Sequence, residues 1–269
     1  MEGDYSEKYV DYINLSGLSW KRPEGPKRVW RVVDGRKKMP SGEVPRFIIQ
    51  EVPESMEEEL VDFMTKYFTA EETITVSQKL LSDPIAMREI RTLWKETLRQ
   101  GVSLVAIREN FESDKKSEIV GVNVLFVCTN EDEDKLTSAI EVRTRKMKTV
   151  MGTQFRLAAE VDMAKIYGVD RYLGAFGLSV NPSYRGQGVA DALLQARTDI
   201  GQAYQIPATE TIFTGTASQI VAARNGFEVL VERKYTEILD DEGNVAFPGV
   251  EPKFMKVMGK KLLKVNVRV

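Results

Sequence analysis

From residue 46 onward, short apolar runs alternate with helical stripes. PRFIIQEV contains an apolar strand candidate over 46–52. In ESMEEELVDFMTKYF, the residues Met56, Leu60, Phe63 and Tyr67 recur at helical spacing and predict an amphipathic helix. A second helix is predicted over about 85–100 by Met87, Ile90, Trp94 and Leu98, with Gly101 ending it. VSLVAIRE and IVGVNVLFVC read as strands, and the polar FESDKKSE between them predicts an antiparallel pair. NEDEDKL reads as a solvated acidic loop, since it lacks the ligand spacing and glycine of an EF-hand. A helical region is predicted over about 137–167.

The second half of the chain is patterned more sharply. In YLGAFGLSVNP, Phe176, Leu178 and Val180 alternate as in a half-buried strand, and Pro182 stops it. A glycine loop follows, then a helix predicted over about 188–204 with Val189, Leu193, Ala196, Ile200 and Tyr204 as its apolar stripe. TETIFTGT reads as a strand and SQIVAARN as a short helix, with Gly226 suited to the C′ position. FEVLVERKYTEI and KFMKVMGKKL are the last strands. The order of elements predicts a mixed α/β domain over 46–269.

Residues 1–45 differ in kind and read as an extension. Eight Lys or Arg lie between Trp20 and Pro40, against Glu24 and Asp34, in a Pro- and Gly-rich setting. Basic residues interleaved with Trp20 and Trp30 fit either a nucleic-acid arm or a segment whose tryptophans pack on the main domain. Packing is favoured, because no nucleic-acid motif accompanies the charges.

Composition narrows the chemistry. The 269 residues carry a formal charge of −2, so no overall field calls for nucleic acid or an anionic membrane. No run approaches the ~20 apolar residues of a membrane span, and the polar MEGDYSEKYV is not expected to be a signal peptide. The single cysteine, Cys128, cannot form an internal disulfide; it reads as a buried structural thiol in a reducing, cytoplasmic protein. The chain has no histidine, which excludes Ser-His-Asp, Cys-His and His-based zinc chemistry. A general base must then be Glu, Asp, Lys, Tyr or a water chain.

The glycine loop is the most specific feature. The P-loop pattern is absent, and a dinucleotide fingerprint starting at Gly186 fails at its last position, Asp191. The pattern [QR]-x-x-G-x-[GA] is satisfied at every position by Arg185-Gly186-Gln187-Gly188-Val189-Ala190. Glycines leave room beside the main chain, the helix start adds free N–H groups and a positive dipole end, and Arg185 adds a permanent cation. Together these suit a pyrophosphate.

LSVNPSYRGQGVADALL resembles motif A of the acetyl-CoA-dependent N-acetyltransferases with the GNAT fold, and FTGTASQIVAARNGFEV resembles the strand and helix that follow it. The likeness covers roughly 46–262 and is closest to the insect arylalkylamine N-acetyltransferases, through YFTAEETI, YGVDRYLGAFGLSVNPSYRGQG and FTGTAS. It implies a mixed, largely antiparallel twisted sheet flanked by helices and splayed where the strand ends near Val180. Acetyl-CoA would be the co-substrate, a small amine the acceptor, and no metal would take part. Backbone groups at Leu178 and Val180 would meet the pantetheine arm, and the N–H groups of 186–190 the pyrophosphate.

The resemblance also implies roles. The family's glutamate base falls on Glu72, with Glu71 as the alternative and Thr73 where a proline is usual. The tyrosine that serves many relatives as acid is Ala222 here, and the serines implicated in the insect enzymes correspond to Thr214 and Ser218. Ser218 also suits the N-cap of its short helix. Direct transfer to an arylalkylamine by a monomer is the leading expectation. Alternatives are a polyamine, agmatine, hydrazine, amino acid or protein N-terminus as acceptor, or a non-catalytic acyl-CoA sensor.

Overall fold

The computed structural model describes residues 12–109 and 117–263. Eight strands form one sheet in the order β1-β2-β3-β4-β5-β6-β8-β7. They are β1 (Val29–Asp34), β2 (Arg46–Glu51), β3 (Leu104–Arg108), β4 (Glu118–Thr129), β5 (Arg171–Val180), β6 (Ala208–Phe213), β7 (Glu228–Lys234) and β8 (Phe254–Lys261). Every neighbouring pair is antiparallel except β5 and β6. The predicted pairing of β3 with β4 is present, with Val105 opposite Val122.

Helices cover both faces. On one face lie α1 (Glu57–Phe63), α3 (Pro84–Leu98) and α5 (Arg145–Ala158), which bury Leu60, Phe63, Ile90, Trp94 and Met151 in the larger core. On the other lies α7 (Val189–Tyr204), whose predicted stripe of Val189, Leu193, Ala196, Ile200 and Tyr204 is buried throughout. Pro84 opens α3 with Asp83 capping the N–H groups of Ile85 and Ala86, and Gly101 follows its end at φ +74°. Between these helices, α1 runs on as a π-helical turn over Met64–Phe68, which precedes the short α2 (Thr73–Ser77).

Three expectations change. The acidic loop at 130–136 contains the start of α4 (Glu133–Ala139). The single helical region at 137–167 is instead interrupted: α5 is separate from α4 and from α6 (Met163–Tyr167). The breaks sit at local caps, since Thr144 accepts from the N–H of Met147 and Asp162 from that of Lys165. Ser218 is not an N-cap: α8 (Thr216–Arg224) is capped at Gly215, and Ser218 is its third residue.

The basic N-terminal segment packs on the domain. VWRVVD forms β1 and pairs with β2. Trp20 and Trp30 both meet Tyr204, at centroid distances of 6.2 and 5.7 Å. Its arginines find carboxylates: Arg22 binds the fully buried Glu51 at 2.7 Å, and Arg31 binds Asp199 at 2.6 Å. These pairings spend part of the segment's charge within the protein.

Candidate functional site

Strands β5 and β6 share a single register pair, Leu173 with Thr209. Beyond it β5 stays with β4 while β6 stays with β8, so the sheet splays toward Val180. A cavity of about 580 Å³ fills the opening. A bulge shapes its wall: the β4–β5 register slips between Asn123 and Leu125, opposite Phe176 and Gly177. Gly177 sits at φ +127°, and an added methyl there would lie 2.8 Å from Met64 Cε. The carbonyls of the bulge turn to side chains: Trp94 Nε1 donates to Phe176 O (3.0 Å) and Asn123 Nδ2 to Gly177 O (2.8 Å). Leu178 and Val180 both line the cavity.

The glycine loop forms one mouth of this cavity. Asn181 stabilises the turn before it by accepting from Ser183 N–H at 3.0 Å. Gly186 and Gly188 then take φ of +76° and +88°, a left-handed geometry that favours glycine. Among the described residues, the N–H groups of Gly186, Gly188, Val189 and Ala190 make no backbone hydrogen bond, whereas that of Gln187 donates to Tyr184 O at 3.3 Å. Four donors at the start of a sixteen-residue helix are thus free for an anion. Arg185 reaches across to an ion pair with Glu71, tying the loop to the far wall.

The Gln187 side chain points elsewhere. It is buried, and its amide clasps the main chain of Lys37. Asp191, which breaks the dinucleotide pattern, is a buried carboxylate held by Arg224 (2.5 Å), Arg36 (2.9 Å) and Asn225 (2.8 Å). These donors keep its carboxyl below the usual range against the opposing effect of burial.

Glu72 is the N-cap of α2 and lines the cavity. Its carboxylate accepts from the N–H groups of Ile74 (3.2 Å) and Thr75 (2.8 Å) and from Thr214 Oγ1 (2.5 Å). Burial pushes its carboxyl above the ordinary value, and the three bonds only partly offset that. Thr214 is therefore brought directly onto Glu72. Its carbonyl in turn accepts from Tyr235 O–H at 2.8 Å, and burial together with the Glu72 charge pushes that phenol up. Ser218 lines the same wall but donates to Gly215 O at 2.8 Å, and touches neither Glu72 nor Thr214 through a hydrogen bond. Glu71, the alternative base, is exposed and engaged by Arg185.

The other end of the cavity is aromatic. Tyr67, Phe68, Trp94 and Phe176 line it, with Met151 and Gln154 from α5. Phe68 meets Trp94 edge-on at 5.8 Å, and Phe176 stacks on Phe126 at 4.4 Å. Trp94 shows in the sequence only as a member of a core stripe, and nothing local marks α5 as a wall. Arg197 was also missed, although a charge on the inward stripe of α7 is a visible signal. It is fully buried, bonds Asn123 (3.0 Å) and Thr211 (2.7 Å), and lines the cavity. Burial pulls its guanidinium down to about 9, which leaves it charged at neutral pH.

Among the described residues, no group of three or more His, Cys, Asp or Glu is placed to hold a metal ion. No helix among them is long and apolar enough to cross a membrane.

No family model matches the sequence, and no curated protein matches it. Solved structures do. One from the yellow fever mosquito Aedes aegypti, carrying the name arylalkylamine N-acetyltransferase 7, is 33% identical with a TM-score of 0.81, covering 91% of this chain and 100% of its own. Arylalkylamine N-acetyltransferase 2 of Aedes aegypti is 21% identical with a TM-score of 0.70, covering 81% and 99%. The Drosophila melanogaster polyamine N-acetyltransferase shares the fold at 15% identity, TM-score 0.65, covering 80% and 99%. With the splayed sheet, the glycine loop and a relative one-third identical over nine-tenths of its length, the chain belongs to the insect arylalkylamine N-acetyltransferase-like family of GNAT-fold N-acetyltransferases.

Proposed function

We propose that the protein transfers the acetyl group of acetyl-CoA directly to the primary amine of a small arylalkylamine, with dopamine, tyramine, serotonin and tryptamine as the first candidates. One observation carries this reading. A single cavity joins the free N–H groups of the glycine loop, the carboxylate of Glu72 and an aromatic end lined by Tyr67, Phe68, Trp94 and Phe176. Aromatic walls suit an aromatic amine by area and by ring–ring contact. An absent histidine and a half-buried glutamate on the same cavity suit a carboxylate base.

The roles follow from the geometry. The pyrophosphate rests on the free N–H groups of Gly186, Gly188, Val189 and Ala190, and the pantetheine arm runs beside Leu178 and Val180. An alkylammonium titrates near ~10.4, so most of the acceptor arrives protonated. Glu72, directly or through water, takes that proton; its raised carboxyl makes it a better base than an exposed glutamate. The amine nitrogen then attacks the thioester carbon, the C–S bond breaks with its electron pair leaving on the sulfur of coenzyme A, and the second proton shed by the new amide nitrogen passes through water to that sulfur. Thr214 orients Glu72 by its hydrogen bond. Ser218 stands on the same wall as a polar contact for substrate. A lone buried thiol supports a cytoplasmic setting.

The test is a thiol-release assay with acetyl-CoA across arylalkylamines, polyamines, agmatine, hydrazines and amino acids. The highest kcat/KM is expected for an arylalkylamine. A polyamine or agmatine in first place would move the acceptor class, and acetyl-CoA binding without turnover on any amine would make the protein a sensor.

A further inference from the structure

We infer that Arg36 and Lys37 of the N-terminal extension form a strap that completes the coenzyme site, supplying cations to the pyrophosphate held on the glycine loop. This rests on the reading that the loop binds the diphosphate of acetyl-CoA. It gives the basic extension a role that its charge pattern alone does not reveal.

The strap is fixed to the loop by a built contact. Gln187 is only 4% exposed, and its amide makes two bonds to one residue: Lys37 N–H donates to Oε1 at 2.9 Å and Nε2 donates to Lys37 O at 3.0 Å. Those bonds hold main chain, so the two basic side chains are left to point where they will. On its N-terminal side the strap continues from β1, which is paired with β2 and tied to α7 through Arg31 and Asp199. On its C-terminal side the turn closes with Gly35 N–H donating to Pro45 O at 2.7 Å.

The side chains lie where an anion would sit. A methyl built on Gly186 would come within 2.8 Å of Lys37 Nζ, and one on Gly188 within 2.8 Å of Arg36 Nε. These are the two left-handed glycines whose N–H groups are free. Arg36 itself lines the cavity. Cations on top of free donors, at a helix start, leave this mouth short of negative charge.

The charge balance agrees. Four cations, Arg36, Lys37, Arg185 and Arg224, face two carboxylates, Glu71 and Asp191. Asp191 is already bound by Arg224 and Asn225, so it does not require Arg36. The Arg36 side chain is 54% exposed, and such ion pairs add little to stability. Lys37 Nζ makes no hydrogen bond or ion pair among the described residues. A guanidinium with donors to spare and an unpaired ammonium match a diphosphate, which accepts charge-assisted bonds from both.

The test needs no amine. Calorimetry would measure binding of coenzyme A and of 3′-dephospho-coenzyme A to the full chain, to Arg36→Gln/Lys37→Gln and to Arg36→Lys/Lys37→Arg. The Gln pair is expected to weaken both ligands by about 10- to 100-fold, the range of a lost charge-assisted bond or two. The charge-keeping pair should stay within about threefold, and raising salt should weaken the wild type more than the Gln pair. Unchanged unfolding midpoints would show that both variants fold. Equal affinity in the Gln pair overturns the strap. A loss confined to coenzyme A, sparing the dephospho form, overturns the pyrophosphate assignment in favour of the 3′-phosphate. An equal loss in the charge-keeping pair would mean a packing role instead. A wild type that binds neither ligand would bring down the acetyl-CoA reading itself, and the strap with it.

Discussion

The two ends of the cavity are built from different materials. The glycine-loop end, where the proposed function puts the coenzyme, is main chain and fixed charge: free N–H groups at a helix start, two glycines at positive φ, and arginines around them. The aromatic end, proposed to take the acceptor, is side chain, drawn from α1's π-turn, α3, α5 and the β5 bulge. A main-chain site requires particular residues at fixed spacing, because only glycine leaves the backbone open there. A side-chain site requires only that walls meet, so many sequences satisfy it.

Glu72 stands where the two ends meet, and changing it should have the largest effect. Glu72→Gln is expected to lower kcat by about 10²- to 10⁴-fold, the range of general base catalysis, with coenzyme A affinity unchanged. The pH dependence has a definite sign. Burial raises the folded-state carboxyl above its ordinary 4.5, so the wild-type kcat should rise with pH through that raised value. Glu72→Gln should lack this limb. Because the folded state holds the proton to higher pH than the unfolded chain, ionising Glu72 disfavours folding. Wild-type stability should therefore fall relative to the variant as pH climbs from 4.5. A variant that keeps the limb would move the base elsewhere.

Gly188→Ala attacks the coenzyme end alone. A left-handed non-glycine residue costs roughly 1–2 kcal/mol, so the loop relaxes and its competent form becomes some 5- to 30-fold rarer. Acetyl-CoA affinity should fall by about that factor while the amine KM holds. Trp94→Phe attacks the acceptor end. It keeps a ring but drops the 3.0 Å bond to Phe176 O, worth roughly 0.5–1.5 kcal/mol. The amine KM should rise roughly 2- to 10-fold with acetyl-CoA affinity unchanged. If both variants moved both constants together, the two ends would not be separable units.

Legibility divides along the same line. The strand through Val180, the glycine loop and the α7 stripe were readable because backbone demands leave local patterns. Gly226 at φ +82° after α8 was readable for the same reason. The placement of Glu72 came from family likeness, and the structure adds its cap bonds and the Thr214 contact. The acceptor wall was not readable: Trp94 and Met151 lie on core stripes of separate helices, and only the tertiary fold opens them to the cavity. The breaks around α5 hung on single caps, Thr144 and Asp162, hidden in a polar stretch. The clasp between Gln187 and Lys37 joins residues 150 positions apart, and no local pattern announces it. In VWRVVD, the basic character of its surroundings masked a strand.

The smallest effect tests where the cavity stops. Cys128 on β4 faces Tyr172 on β5, next to Leu173, the last point at which β5 still pairs with β6. If the splay begins beyond that pair, this end of the sheet is closed. Burial then holds the Cys128 thiol up at about 12, almost wholly protonated at neutral pH. Maleimide should leave the native protein unlabelled over hours at pH 7.5 and label it promptly in denaturant, with activity untouched by the native treatment. Rapid native labelling, slowed by coenzyme A, would extend the opening past Leu173. The closed end would then belong to the coenzyme channel.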